Sequence, residues 1–133
     1  MTETYEPACQ CGAVTIRLTG APRVRGHCHC EDCRTLLDVP FHSVTAWNAD
    51  QLEVTEGEAH LTTFQHPSLT MKKVSCDTCG EVIWNTNGMD WRVVSQRFLE
   101  RALGGLPEEL TAQSHFFYDR RIFDIADDLP KKP

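Results

Sequence analysis

Short runs of alternating apolar and polar residues, each closed by turn-forming residues, dominate the chain. Residues 13–18 alternate with a period of two, as a strand with one buried face does. Comparable runs fall at 41–47, 61–64, 71–75, 82–84, 91–94, 114–118 and 122–125. Glycine, proline, asparagine and aspartate punctuate them at 20–22, 48–50, 56–57 and 87–88. Asn87 and Gly88 both tolerate positive φ, which predicts a hairpin turn there. Helical pattern is confined to 32–37, with Cys33 in its first turn, to 98–103, ended by Gly104 and Gly105, and to one turn at 107–110 opened by Pro107. Residues 127–133 read as an extended tail. The pattern predicts a mainly β domain with little helix.

Composition narrows the class. No repeat, low-complexity stretch or linker divides the 133 residues, so one domain over 1–133 is expected. Hydrophobic residues at 41% and charged residues at 24% are those of a folded soluble protein rather than a disordered one. No apolar run approaches the ~20 residues of a membrane helix. The N-terminus lacks a basic segment followed by an apolar one. The expected location is therefore the cytoplasm, with no membrane partner. The formal charge of -6 opposes binding to phosphate backbones, so no nucleic-acid partner is expected. Arg23 with Arg25 and Arg120 with Arg121 read as solvated surface charge.

The seven cysteines change the picture most. They fall in three clusters: Cys9 and Cys11; Cys28, Cys30 and Cys33; Cys76 and Cys79 followed by Gly80. In a reducing compartment such clusters indicate metal or catalysis rather than disulfides. A C-x-x-C closed by glycine converges two sulfurs on one point and is a strong zinc half-site. The C-x-C pair of Cys9 and Cys11 is its natural complement, closing a loop of roughly 65 residues. Cys28, Cys30 and Cys33 are then left as a trio, which can wrap one face of a tetrahedron and leave the fourth corner open to water or substrate. Two alternatives remain at this point. Cys9 and Cys11 could pair with two of the trio and strand Cys76 and Cys79. A histidine among His27, His29, His42, His60, His66 and His115 could close the trio, although strand alternation directs His27 and His29 away from Cys28. A redox role for Cys76 and Cys79 lacks the βαβ pattern it would need.

The order C-x-C-Gly (Cys9 to Gly12), C-H-C-x-x-C-Arg (Cys28 to Arg34) and C-x-x-C-Gly (Cys76 to Gly80) resembles the glutathione-dependent formaldehyde-activating family, shared with the centromere protein V domain. His115 to Tyr118 and Ile125 to Pro130 look like that family's closing segment. The resemblance implies a β-tent fold of short antiparallel sheets stapled by zinc. It implies two Zn2+ per chain: a structural ion on Cys9, Cys11, Cys76 and Cys79, and a catalytic ion on Cys28, Cys30 and Cys33. It implies a carbon–sulfur lyase of the S-(hydroxymethyl)glutathione synthase kind, with glutathione as the small-molecule thiol and formaldehyde as its partner. The chain departs from the family pattern at Ser75, where an aromatic residue is usual, and at Thr35 to Asp38, where small residues and a glycine are usual.

On this reading a free thiol, with a pKa near ~8.5, is ionised at an open zinc corner and attacks a small carbonyl carbon. Three anionic ligands favour activation of a thiol over activation of water. His29 and His115 are candidate proton donors. Two non-catalytic readings stand beside the enzyme: a zinc-dependent thiol carrier without turnover, and a zinc-stabilised module that docks another protein.

Overall fold

The computed structural model describes residues 3–133. Ten strands, two short α-helices and four single 3-10 turns follow one another along the chain. The strands are β1 (Thr4–Tyr5), β2 (Thr15–Thr19), β3 (Val24–Cys28), β4 (His42–Trp47), β5 (Leu52–Glu56), β6 (Leu61–Gln65), β7 (Lys72–Cys76), β8 (Val82–Thr86), β9 (Arg92–Ser95) and β10 (His115–Phe116). The helices are α1 (Glu31–Leu37) and α2 (Gln96–Leu103). A three-stranded sheet runs β1-β2-β5, and a seven-stranded sheet runs β10-β3-β4-β9-β8-β7-β6. The mainly β reading holds. Among the described residues one strand pair is parallel, β10 on β3, so the larger sheet is mixed rather than wholly antiparallel. The long connection from α2 to β10 allows that direction; a hairpin would not.

The main core lies where the smaller sheet meets β4, β8, β9 and α2. Ile16, Leu18, Trp47, Ile83, Val94, Leu99 and Leu110 are fully buried there, and Cys9 and Cys76 belong to the same cluster. Trp47 Nε1 donates to Thr45 Oγ1 at 2.8 Å, and that hydroxyl donates to the Val94 carbonyl at 2.8 Å. The buried indole thus carries no unpaired donor. Ser95 caps α2 through its hydroxyl, accepting from the amides of Arg97 and Phe98, and Gly104 ends the helix in the left-handed region at φ 74°.

Several elements differ from the sequence pattern. Strand β3 had no clear signal because Arg25, Gly26 and His27 break the alternation. A side chain at Gly26 would overlap the Phe116 ring and the Ser114 carbonyl, so glycine is required for β10 to approach. Strand β5 was also missed. The run at 114–118 yields only two strand residues, since Phe117 turns the chain at φ 53°. Residues 122–125 form no strand. Asn87 and Gly88 do lie in the β8–β9 connection, but the positive φ falls on Asp90 (58°). The Asn87 side chain instead organises that loop, its Oδ1 accepting from the amides of Met89 at 3.0 Å and Trp91 at 3.1 Å. The tail is extended and docked on β10: the His115 amide donates to the Pro130 carbonyl, and Lys132 donates back to His115.

Candidate metal centres and the cavity beside one of them

The folded chain gathers the cysteines into two groups, Cys9 with Cys11, Cys76 and Cys79, and Cys28 with Cys30 and Cys33. Within each group the sulfurs all lie within 4.8 Å of one another. The alternative partition, pairing Cys9 and Cys11 with the trio, is excluded.

Two turns build the quartet. Cys9 to Gly12 forms a tight turn, the Gly12 amide donating to the Cys9 carbonyl at 2.9 Å. Cys76 to Gly80 forms the other, with the Gly80 amide on the Cys76 carbonyl at 2.9 Å. Each glycine has a φ near +80°, at 79° and 77°, which a side chain would strain. The Cys9 and Cys11 sulfurs stand 3.6 Å apart, and those of Cys11 and Cys76 3.7 Å. A tetrahedron with ~2.3 Å zinc–sulfur bonds has edges of about 3.8 Å, so this donor set fits zinc. Burial raises Cys79, but the amides of Glu81 and Cys11 outweigh it and bring the thiol down to about 7. Glu81, which the sequence reading did not single out, locks the two turns together. Its Oε1 accepts from the Gln10 amide at 2.9 Å and from Arg101 at 2.6 Å, while Arg101 also donates to the Ala8 carbonyl.

The trio is built from the end of β3 and the start of α1. Cys28 closes β3, Cys30 is the N-cap of α1, and Cys33 lies in its first turn. The Cys33 amide donates to Cys30 Sγ at 3.3 Å. Sulfur separations are 3.3 Å for Cys28–Cys30 and 3.6 Å for Cys28–Cys33, again a spacing that a tetrahedral thiolate-bound cation fits. Charge within the trio is uneven. Hydrogen bonds from Cys28 and Cys33, then the amides of Cys33 and Asp32, hold Cys30 far below the ordinary thiol range. Its ionised sulfur in turn pushes Cys28 up to about 11, and Cys33 also rises. Among the described residues no histidine or carboxylate joins this group.

The histidines are engaged elsewhere. Along β3 and β10, His27 pairs with His115, and Cys28 pairs with Phe116. Alternation therefore puts the His27–His115 row on one face and the Cys28–Phe116 row on the other. His29 Nε2 meets His115 Nδ1 at 2.8 Å, and His115 Nε2 meets Asp127 Oδ2 at 2.8 Å. Asp127 is itself paired with Lys131. Both His29 and His115 are buried in this chain, packed edge-to-face against Tyr118. They fasten the tail to β10, which corrects their candidacy as proton donors. His42, paired with Cys28 across the strands, is buried and lowered to about 4 by desolvation.

A cavity of about 470 Å3 opens directly beside the trio. Cys28, Cys30 and Cys33 form one wall, Val44, Ala46 and Val93 of the large sheet form its floor, and Met71, Trp91 and Phe116 close its sides. Asp32 is the one ionisable lining residue besides the cysteines, among those described. Asn85 also lines it; its Nδ2 donates to the Thr86 carbonyl at 3.2 Å, while its buried Oδ1 has no partner.

Two convergent cysteine groups on a mainly β frame, one against the main core and one at a cavity wall, define a class of cysteine-rich β domain whose clusters could each hold a metal ion. The model of the family described as glutathione-dependent formaldehyde-activating enzyme matches residues 4–120, and the chain belongs to that family. The match takes in all seven cysteines and His115 to Tyr118 but stops short of the segment from Ile125 to Pro130. No protein of curated function matches the chain. In solved structures it is similar to a Rhodobacter sphaeroides protein, with a TM-score of 0.54 and 25% identity over 77% of this chain and 98% of that one. No helix of the structure is long and apolar enough to cross a membrane.

Proposed function

We propose that the chain is a zinc-dependent enzyme that adds a thiol to a small aldehyde, a carbon–sulfur lyase in the reverse direction, with glutathione and formaldehyde as the reference pair of its family. The observation that carries this reading is the trio. Three thiols converge at the wall of a cavity, and among the described residues no histidine, carboxylate or further cysteine is gathered with them. Cys28, Cys30 and Cys33 would hold Zn2+ here, and Cys9, Cys11, Cys76 and Cys79 a structural ion. When bound, the cation at the trio supplies a site where an incoming thiol ionises at neutral pH.

The chain's own residues do the rest. Cys30, the N-cap of α1 with its sulfur accepting from the Cys33 amide at 3.3 Å, fixes the trio on a helix start that is preformed. The apolar floor keeps water from the reacting carbon. In the addition the sulfur–hydrogen bond and the carbonyl π bond break, a carbon–sulfur bond forms, and the π electron pair on the oxygen takes the proton. Asp32, the one carboxylate on the cavity wall, is placed to pass it.

The test is the rate of S-(hydroxymethyl)glutathione formation with zinc-loaded protein against the spontaneous rate. Acceleration that disappears in Cys30→Ser supports the enzyme. Thiol binding with a background rate replaces it by a carrier, and no binding at all leaves an interaction module.

A further inference from the structure

The cavity beside the trio is far larger than formaldehyde needs, and its chemistry is unlike that of glutathione. Glutathione brings two carboxylates and one ammonium. Against them the cavity offers no lysine, arginine or histidine among its described lining residues, and it adds the Asp32 carboxylate to the anionic sulfurs. The floor and sides are hydrocarbon and aromatic: Val44, Ala46, Val93, Met71, Trp91 and Phe116. A carboxylate placed there would be desolvated beside like charge, whereas an apolar group would be rewarded by burial. Thr70, Asn85 and Asn87 interrupt this lining with uncharged polar side chains, none of which can neutralise a carboxylate.

We propose that this cavity selects a hemithioacetal with a neutral apolar substituent in preference to the adduct of glutathione with formaldehyde. The inference rests on the thiol-addition reading and names its substrate class. The balance is that of the addition above: R–SH and R′–CHO give R–S–CH(OH)–R′, the sulfur–hydrogen bond and the carbonyl π bond exchanged for a carbon–sulfur and an oxygen–hydrogen bond, with no redox change. The apolar group can arrive on the thiol or on the aldehyde. Burying a phenyl-sized group favours the apolar adduct by roughly 10- to 100-fold.

Three reactant pairs separate the possibilities on the zinc-loaded protein, each measured over its own spontaneous rate: benzyl mercaptan with formaldehyde, glutathione with phenylacetaldehyde, and glutathione with formaldehyde. The first or the second should exceed the third by about tenfold or more, and which one leads identifies the source of the apolar group. If glutathione with formaldehyde is accelerated as well as either, the inference is overturned while thiol addition stands. If no pair is accelerated, the thiol-addition reading itself falls. Calorimetric binding gives a readout independent of turnover when the thiol is the source. Benzyl mercaptan should then bind more tightly than glutathione, and Ala46→Leu, which fills the floor, should abolish that binding while zinc content is unchanged. Met89→Arg, at an exposed position on the rim, should narrow the gap between the two thiols without touching the core. Equal affinities, with the aldehyde arm also silent, overturn the proposal.

Discussion

The quartet and the trio use the same donor atom in opposite settings. Cys9 and Cys76 are part of the main core, packed with Ile16, Trp47 and Leu99, and their turns are held shut by Arg101 and Glu81. The trio belongs to a small separate cluster with Leu36 and Met71, and one side of it is cavity. What differs is the neighbourhood: the quartet sits against the main core, with Cys9 and Cys76 buried, Cys79 partly so and Cys11 exposed, whereas the trio faces a cavity. On the proposed reading the same donor chemistry serves folding in one place and a reaction in the other.

The largest expected effect follows from that contrast. A structural zinc contributes on the order of 10 kcal/mol, as much as the whole net stability of a small domain. Cys79→Ser is therefore expected to lose cooperative unfolding altogether, read by thermal denaturation. A stably folded Cys79→Ser protein with full zinc content would erase the distinction between the two sites. Cys30→Ser should behave differently. Serine is a good N-cap, so α1 should survive with a change below about 1 kcal/mol, while one of two zinc ions and the thiol chemistry are lost.

Arg101→Ala sharpens the comparison further. It removes a part-buried ion pair and leaves Glu81 with only the Gln10 amide, at an expected cost of about 2 kcal/mol. Zinc should dissociate sooner from the quartet and not from the trio, measurable with a chromogenic chelator. The smallest effect concerns the tail. The partners Lys131 and then His115 hold the Asp127 carboxyl below its ordinary range. A lowered carboxylate stabilises the fold above its unfolded pKa and loses that contribution as pH falls. Amide exchange at Lys132 and Tyr118 should accelerate below about pH 4, and Asp127→Asn should remove that pH dependence.

Much of this was legible before any fold was known. Cysteine spacing grouped the sulfurs as the fold does, because C-x-C and C-x-x-C-Gly are local devices whose geometry the intervening residues dictate. Strand periodicity found β2, β4 and β6 to β9. It missed β3 because Gly26 answers to Phe116, some 90 residues away, and no local pattern records that contact. Roles of the polar residues were equally non-local. His29 and His115 looked like free proton donors until β10 and the tail brought them together with Asp127. Glu81 carried no signal at all, since it matters only for the Gln10 amide and Arg101 that distant segments place beside it.

The most direct test of the division between the two sites is X-ray absorption at the zinc edge of the purified protein, with metal stoichiometry. Two ions per chain are expected, one with four sulfurs and one with three sulfurs and a single light atom that an added thiol replaces by a fourth sulfur. A single ion, or a second ion already ligated by four side chains and indifferent to thiol, would contradict the account.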